Sequence, residues 1–422
     1  MYSRIVSIIL LTLFRPDAPA GELRLTPDAA VSRALSSNIH LRAAELAVRQ
    51  AKVQLFWEGR LDNPVLELAA ATDTFGRAEG EAVFEIAYVQ KYPLTSRLRD
   101  AVELRRVEVA LAEAEIGERR RALAREVRAA CVELAVAERE AGLYGRMVEL
   151  NTGITEFLEA AAKVGEASAL DVAGTRLAGK VMERGGKAAD AERMAWLAKL
   201  RPLLGLGADA RLDIETSLAL PDTAPAMRLP RQQMLARRPD YQAALVRGDV
   251  ARAELALAKA NGLEDLALKF FAERERSVDA PEGLEGTTMI GVGISIPLPI
   301  RKKNEAQIES AEIGIDRSNL EAEALGLEIE SELAAALAAR SAAYEAAQEA
   351  SGEILELADA NLRGFREAYG VGQAGFVQVQ RAQEQKLEIE KTALDLAREY
   401  HLADAAVKHA AASDVKNQTV SK

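Results

Sequence analysis

The sequence predicts a mainly helical fold with a membrane β-barrel part, built from one unit that occurs twice. Three observations carry this. First, Val164-Gly165-Glu166-Ala167-Ser168-Ala169-Leu170-Asp171-Val172 is echoed by Val371-Gly372-Gln373-Ala374-Gly375-Phe376-Val377-Gln378-Val379. Second, hydrophobic residues make up 49% of the chain and aromatics only 5%, so Ala and Leu supply most of the apolar material. Third, two long stretches rich in Leu, Ala, Glu and Arg contain no proline. The echo extends upstream in the same order. Ala43-Ala44, Ala51 and Leu55 answer to Ala243-Ala244, Ala251 and Leu255, and Tyr92-Pro93-Leu94 answers to Ile296-Pro297-Leu298. A period of about 200 residues is far beyond the ~20–50 of solenoid repeats, so it marks a duplicated half-molecule.

The elements follow in order. Met1-Tyr2-Ser3-Arg4, the apolar run Ile5 to Phe14 and the small residues Ala18-Pro19-Ala20 have the layout of a secretory signal peptide, expected over residues 1–20. The first repeat is expected over 21–207. Thr26 and Pro27 open a helix in the favoured cap-then-proline order, and its apolar spacing runs on to about Gly59. Asn63-Pro64 stops it. Val65 to Phe75 and Ala82 to Tyr92, joined through a Gly76–Gly80 turn, read as a β-hairpin over 64–93. Residues 96–162 read as one helix of ~100 Å at 1.5 Å per residue. The Gly165 turn reverses the chain into a return helix over 169–204, ended by Pro202 and Gly205.

After a linker over 208–228, the second repeat covers 229–411. It has a helix restarted at Pro239, a hairpin over 265–297 with a loop at Pro281, Gly283 and Gly286, one long helix over 302–368, and a return helix over 376–411. The polar end, 412–422, is expected to be disordered.

The strands indicate the environment. Leu266, Leu268, Phe270 and Ala272 share one face, with Lys269 and Glu273 on the other, and Ile290, Val292 and Ile294 face away from Gly291 and Gly293. Leu66 and Leu68 oppose Glu67, while Phe84, Ile86 and Tyr88 oppose Glu85 and Lys91. Strands of ~9–11 residues with this alternation suit a membrane barrel. The other reading is a soluble sheet packed on the helices. Four strands cannot close in a bilayer, where every backbone group needs a partner, so copies must associate. Two copies give eight strands and a filled interior; three give twelve and a lumen.

Other function classes are not supported. The net charge is −11 without a basic stripe, which argues against nucleic acid. The single Cys131 can form no internal disulfide and reads as a small residue in a helix seam. His40 lacks a spaced partner, and His401 and His409 are too far apart to share a metal. Gly291-x-Gly293 precedes no helix that could cradle phosphate. No catalytic constellation or cofactor site is expected, so the chain does not read as an enzyme.

The ordered set resembles the TolC-type outer membrane factors (outer membrane efflux proteins). It comprises Leu25-Thr26, Ala30, Ala34-Leu35, Asn38, Arg238-Pro239-Asp240, the strand exits Tyr92-Pro93-Leu94 and Pro297-Leu298-Pro299, and both Gly turns. Ser295-Ile296-Pro297-Leu298-Pro299-Ile300 running into Arg301-Lys302-Lys303-Asn304, and the missing lipid-anchor cysteine, are most similar to the CzcC-like heavy-metal branch. The chain departs from that pattern at Ile39 and near Thr95-Ser96. The resemblance implies a homotrimer with a 12-stranded barrel in outer membrane lipid and a periplasmic α-helical tunnel. It also implies an inner-membrane RND-type pump and a periplasmic adaptor as partners. Gly165, Ser168, Leu170, Asp171, Gly372, Gly375, Val377 and Gln378 would then form the periplasmic tip, docking the adaptor and framing the pore. Where some relatives carry an acidic pair, this chain has Gln378 and Arg381, which leaves Asp171 as the acidic candidate. A multidrug or protein-export duct, and a periplasmic coiled-coil scaffold or adaptor, are the alternatives.

Overall fold

The computed structural model describes residues 23–72, 81–227, 229–279 and 283–413. The chain begins with β1 (Leu23–Leu25), α1 (Pro27–Ser37), α2 (Ile39–Trp57), β2 (Val65–Thr72), β3 (Ala82–Tyr92), α3 (Arg97–Lys163) and α4 (Ala169–Leu203). It continues with β4 (Leu212–Ile214), α5 (Arg231–Arg237), α6 (Pro239–Ala260), β5 (Leu266–Asp279) and β6 (Gly283–Ser295). Helices α7 (Glu305–Ser351), α8 (Glu353–Gly370) and α9 (Phe376–Ala410) complete it.

Two compact units result, and they cut across the sequence repeats. One contains the described residues up to Ile39, Ala122–Met227 and Ala336–His409; the other contains His40–Arg121, Arg228–Ala335 and the chain from Ala410. The repeats over 21–207 and 229–411 are therefore units of sequence rather than of packing, because α3 and α7 each give residues to both compact units.

In the first unit, Thr26 Oγ1 accepts the Ala29 amide and Pro27 occupies the first turn of α1. Ala30, Val31 and Ala34 of α1 are buried against Ala124, Val127, Cys131 and Leu134 of α3, Leu197 and Leu200 of α4, and Leu204, which caps α4. Alanines let the helix backbones approach closely, and each buried leucine contributes about 2 kcal/mol. Burial pushes the Cys131 thiol up to about 12, Arg128 pulling weakly the other way. α4 ends in a Schellman turn, with Gly205 N–H donating to Pro202 O and Leu206 N–H to Arg201 O. Gly205 has φ +66°, and a Cβ there would lie 2.4 Å from the Ser37 carbonyl oxygen. β1 and β4 pair in parallel.

In the second unit, a single sheet runs β2-β3-β5-β6, antiparallel throughout. Arg97 at the start of α3 makes an ion pair with Asp265 just before β5, fixing helix to sheet. The restart of the chain between α5 and α6 is held by charge. Arg238 donates twice to Asp240 (2.9 and 2.6 Å), to Glu332 at 2.7 Å and to the Ala410 carbonyl at 3.1 Å. Burial opposes the charge on Asp240, yet Arg238 and Arg121 outweigh it and its pKa is lowered.

Several expectations need correction. The first helix is not continuous to Gly59. It breaks at Asn38, whose backbone is extended and whose side-chain amide donates to Leu203 O at 3.1 Å. The second long helix, expected unbroken over 302–368, is interrupted at Gly352 and starts at Glu305. β5 and β6 run longer than expected, and Gly283 and Gly286 belong to β6 rather than to a loop. The 208–228 linker contains β4, which with β1 adds two short strands to the four expected among the described residues. The 412–422 tail begins on a buried residue, Ala412. The expected signal peptide, the Gly76–Gly80 turn, Pro281 and the chain after 413 lie outside the described residues.

Candidate functional site

Two regions lack the packing a finished surface would show: the sheet and the pair of helix reversals. The sheet register sorts side chains by face. Leu66, Tyr88, Phe270 and Val292 lie in one row across the four strands; Leu68, Ile86, Ala272 and Ile290 form the next. This apolar face is solvent-exposed, with Ile290 at 86% and Leu68 at 72%. A soluble sheet would bury such a face against helices.

The opposite face carries Glu67, Glu85, Lys269, Glu273 and Lys91. Lys269 makes ion pairs with Glu85 and with Glu67, the latter at 3.5 Å, which offsets the direct opposition of Glu85 and Glu273. Phe271 covers Gly291 on this face: a Cβ there would meet the ring at 2.4 Å. Both sheet edges, β2 and β6, have no strand partner among the described residues. The loop after β6 adds exposed Ile296, Leu298 and Ile300 where the sheet meets the helices. An open hollow of about 550 Å³, lined by residues from Leu68 to Thr288, brings together no nucleophile–base pair.

The two reversals share one backbone pattern. After α3, Gly165 N–H donates to Ala162 O and Glu166 N–H to Ala161 O; after α8, Gly372 N–H donates to Tyr369 O and Gln373 N–H to Ala368 O. Both are Schellman turns with glycine at positive φ, +82° at Gly165 and +74° at Gly372. Their closures differ. Ser168 caps α4 by accepting the Leu170 amide at 3.1 Å, whereas Gln378 Oε1 reaches back to accept the Gly375 amide at 2.9 Å.

The two turns are brought together by Phe376, buried with Leu158 and Val172 and flanked by Tyr369, whose ring packs edge-on against Phe157. Burial raises the Tyr369 pKa, and the nearby Asp171 charge adds to it. Leu170 (82% exposed) and Val377 project into solvent, as do Gln378 and Arg381. Nothing packs on the Gly165, Gly372 or Gly375 positions. Arg381 makes no ion pair among the described residues.

Sequence reasoning missed Phe376 as the joint between the turns, and two buried amides in the same unit. Asn151 donates to Thr175 O at 2.9 Å, and Gln383 donates to Met147 O at 3.2 Å. The signal for Asn151 was a lone Asn with Met147, Val148 and Ile154 a helical turn away, whereas Gln383, among Gln378, Gln380 and Gln385, gave none. Among the described residues no group of three or more His, Cys, Asp or Glu could hold a metal ion, and no helix is long and apolar enough to cross a membrane.

Comparison with known proteins gives the fold its class. Residues 231–413, nearly all of the second repeat, match the model of the outer membrane efflux protein family. Solved structures resemble more than nine-tenths of the chain. The CusC channel superposes with TM-score 0.74 at 20% identity, covering 92% of both chains. The CmeC outer membrane channel of Campylobacter jejuni gives 0.73 at 16% identity, over 93% of this chain and 86% of that one. The open-state MtrE channel of Neisseria gonorrhoeae gives 0.69 at 18% identity, over 94% and 91%. The fold is therefore that of the outer membrane channels. No curated protein matches the chain at a significant level.

Proposed function

We propose that this protein is the outer membrane exit duct of a tripartite efflux system, working as a homotrimer with a periplasmic adaptor and an inner-membrane RND-type pump. One observation carries the reading: a four-stranded sheet with both edges unpaired among the described residues, one face apolar and exposed, the other charged and ion-paired. In lipid the apolar face gains a matching solvent, and the edges gain partners only by closing on other copies. Three copies would give twelve strands, with the Glu67, Glu85 and Lys269 face lining a wet lumen. Transport through such a duct is passive, and the pump supplies energy and chooses cargo.

The paired turns are the proposed docking tip. Exposed Leu170 and Val377 offer apolar contact beside Gly165, Ser168, Gly372 and Gly375, with Asp171, Gln378 and Arg381 framing the pore. Heavy-metal cations are the proposed cargo, supported by the Ser295–Asn304 segment. Three Arg381 side chains around one axis would repel cations from a closed mouth.

Fractionation tests the reading. The protein should stay with outer membranes through salt and carbonate washing and dissolve only in detergent. Release without detergent would sink the duct and favour a periplasmic scaffold or adaptor. Deleting the gene should sensitise cells to heavy metals; sensitivity confined to drugs, or lost protein export, would reassign the cargo.

A further inference from the structure

We infer that Arg274 and Arg276 form a binding site for the phosphate groups of an anionic lipid in the outer leaflet; the inference rests on the barrel reading above. The sheet register places both on the apolar face. Arg274 lies in the row of Ala70, Phe84 and Thr288, and Arg276 in the row of Thr72, Ala82 and Gly286. Both are exposed. Neither makes an ion pair among the described residues, and no carboxylate shares their face there. The other charged residues described in the sheet, including Glu67, Glu85, Lys91, Lys269, Glu273, Glu275 and Glu285, fall on the opposite face by the same register.

Their height on the strand decides the ligand. β5 leaves the helices at Leu266, and its outward positions run Leu268, Phe270, Ala272, then Arg274 and Arg276, with only the Val278–Leu284 pair beyond them in the register. The arginines therefore sit past the continuous apolar rows, near the end of the barrel away from the helices. With the helices in the periplasm, that end meets the outer leaflet. An outward arginine costs ~2–4 kcal/mol at the bilayer midplane and close to nothing at the interface, so this is the height at which the pair is tolerated. At ~3.4 Å rise, two residues along one strand put the guanidinium groups about 7 Å apart at their roots. Each can hold a phosphate through two parallel N–H···O bonds. Polar residues meant only to end the apolar band would not need to be two positive charges in successive outward positions, without an ion pair among the described residues.

Native mass spectrometry of the detergent-purified protein, with lipid A as the doubly phosphorylated probe and phosphatidylethanolamine as the zwitterionic one, tests this. Wild-type trimers should retain lipid A through detergent exchange. Retention should fall about fivefold in R274Q or R276Q and more than about tenfold in the double variant. Phosphatidylethanolamine retention should not change. K91Q, which removes a positive charge from the opposite face, should behave as wild type. Equal retention of lipid A by wild type and the double variant, or an equal loss in K91Q, would overturn the inference and leave the duct standing. The same spectra report stoichiometry, so a wild-type protein that is not a trimer would fail the duct reading first. Should the double variant not assemble, the single variants decide.

Discussion

Among the described residues three helix ends carry the same Schellman hydrogen bonds, yet one is closed and two are open. At the end of α4, Gly205 is pressed against the Ser37 carbonyl and Leu204 is fully buried. At Gly165 and Gly372 the same backbone turn has nothing packed on it. The closed turn finishes a core. The open turns close only the small Phe376 cluster, and the exposed Leu170 and Val377 beside them belong to the docking tip proposed above. The difference teaches that the backbone motif serves folding everywhere, while what surrounds it separates structure from function.

The largest effect should come from Gly205→Ala. Positive φ and a Cβ clash with backbone together should cost about 3 kcal/mol, read as a lowered urea midpoint. An unchanged midpoint would mean the end is not closed. Phe376→Ala, which removes the joint between the two open turns, should cost about 2–3 kcal/mol, at or below the bottom of the ~3–5 kcal/mol usual for a buried phenylalanine because its cluster is small.

Gly165→Ala and Gly372→Ala should each cost only about 1 kcal/mol, and equally, since both pay for positive φ without a clash. Both should reduce efflux with the trimer intact. A difference above about 1 kcal/mol between them would break the equivalence of the two reversals. Asp171→Asn and Arg381→Gln should change stability by less than about 0.5 kcal/mol. In planar bilayers they should shift cation selectivity in opposite directions, down for the first and up for the second.

Cys131 reports on the closed end without a stability measurement. Its thiol, raised to about 12 by burial, should resist alkylation by iodoacetamide at pH 8 in the native protein. Gly205→Ala should make it reactive, and substitutions at Gly165 or Gly372 should not.

Much of this was legible in the sequence because it rests on local rules. Period-two alternation exposed the strands and their faces, and Gly165 and Gly372 announced reversals between proline-free stretches. What was not legible depended on distant partners. The break at Asn38 contains no proline and is stabilised by a carbonyl on Leu203. The β1–β4 pair joins a three-residue segment at the start of the first repeat to one in the linker that follows it, and so short a run carries no periodicity. Gly283 and Gly286 read as loop because glycine weakens a strand signal, although pairing with β5 carries β6 through both. The compact units crossed the repeats because a helix as long as α3 outlasts any single core. Among the candidate site residues, glycine chemistry pointed to the turns, but only packing identified Phe376 as the residue that joins them.

Amide hydrogen exchange in the detergent-solubilised protein tests the central claim, that the sheet is closed by other copies of the chain. The edge strands β2 and β6 should be protected to the same degree as the inner strands β3 and β5. Edge amides that exchange freely while β3 and β5 stay protected would contradict it, because the sheet would then be open and the duct could not form.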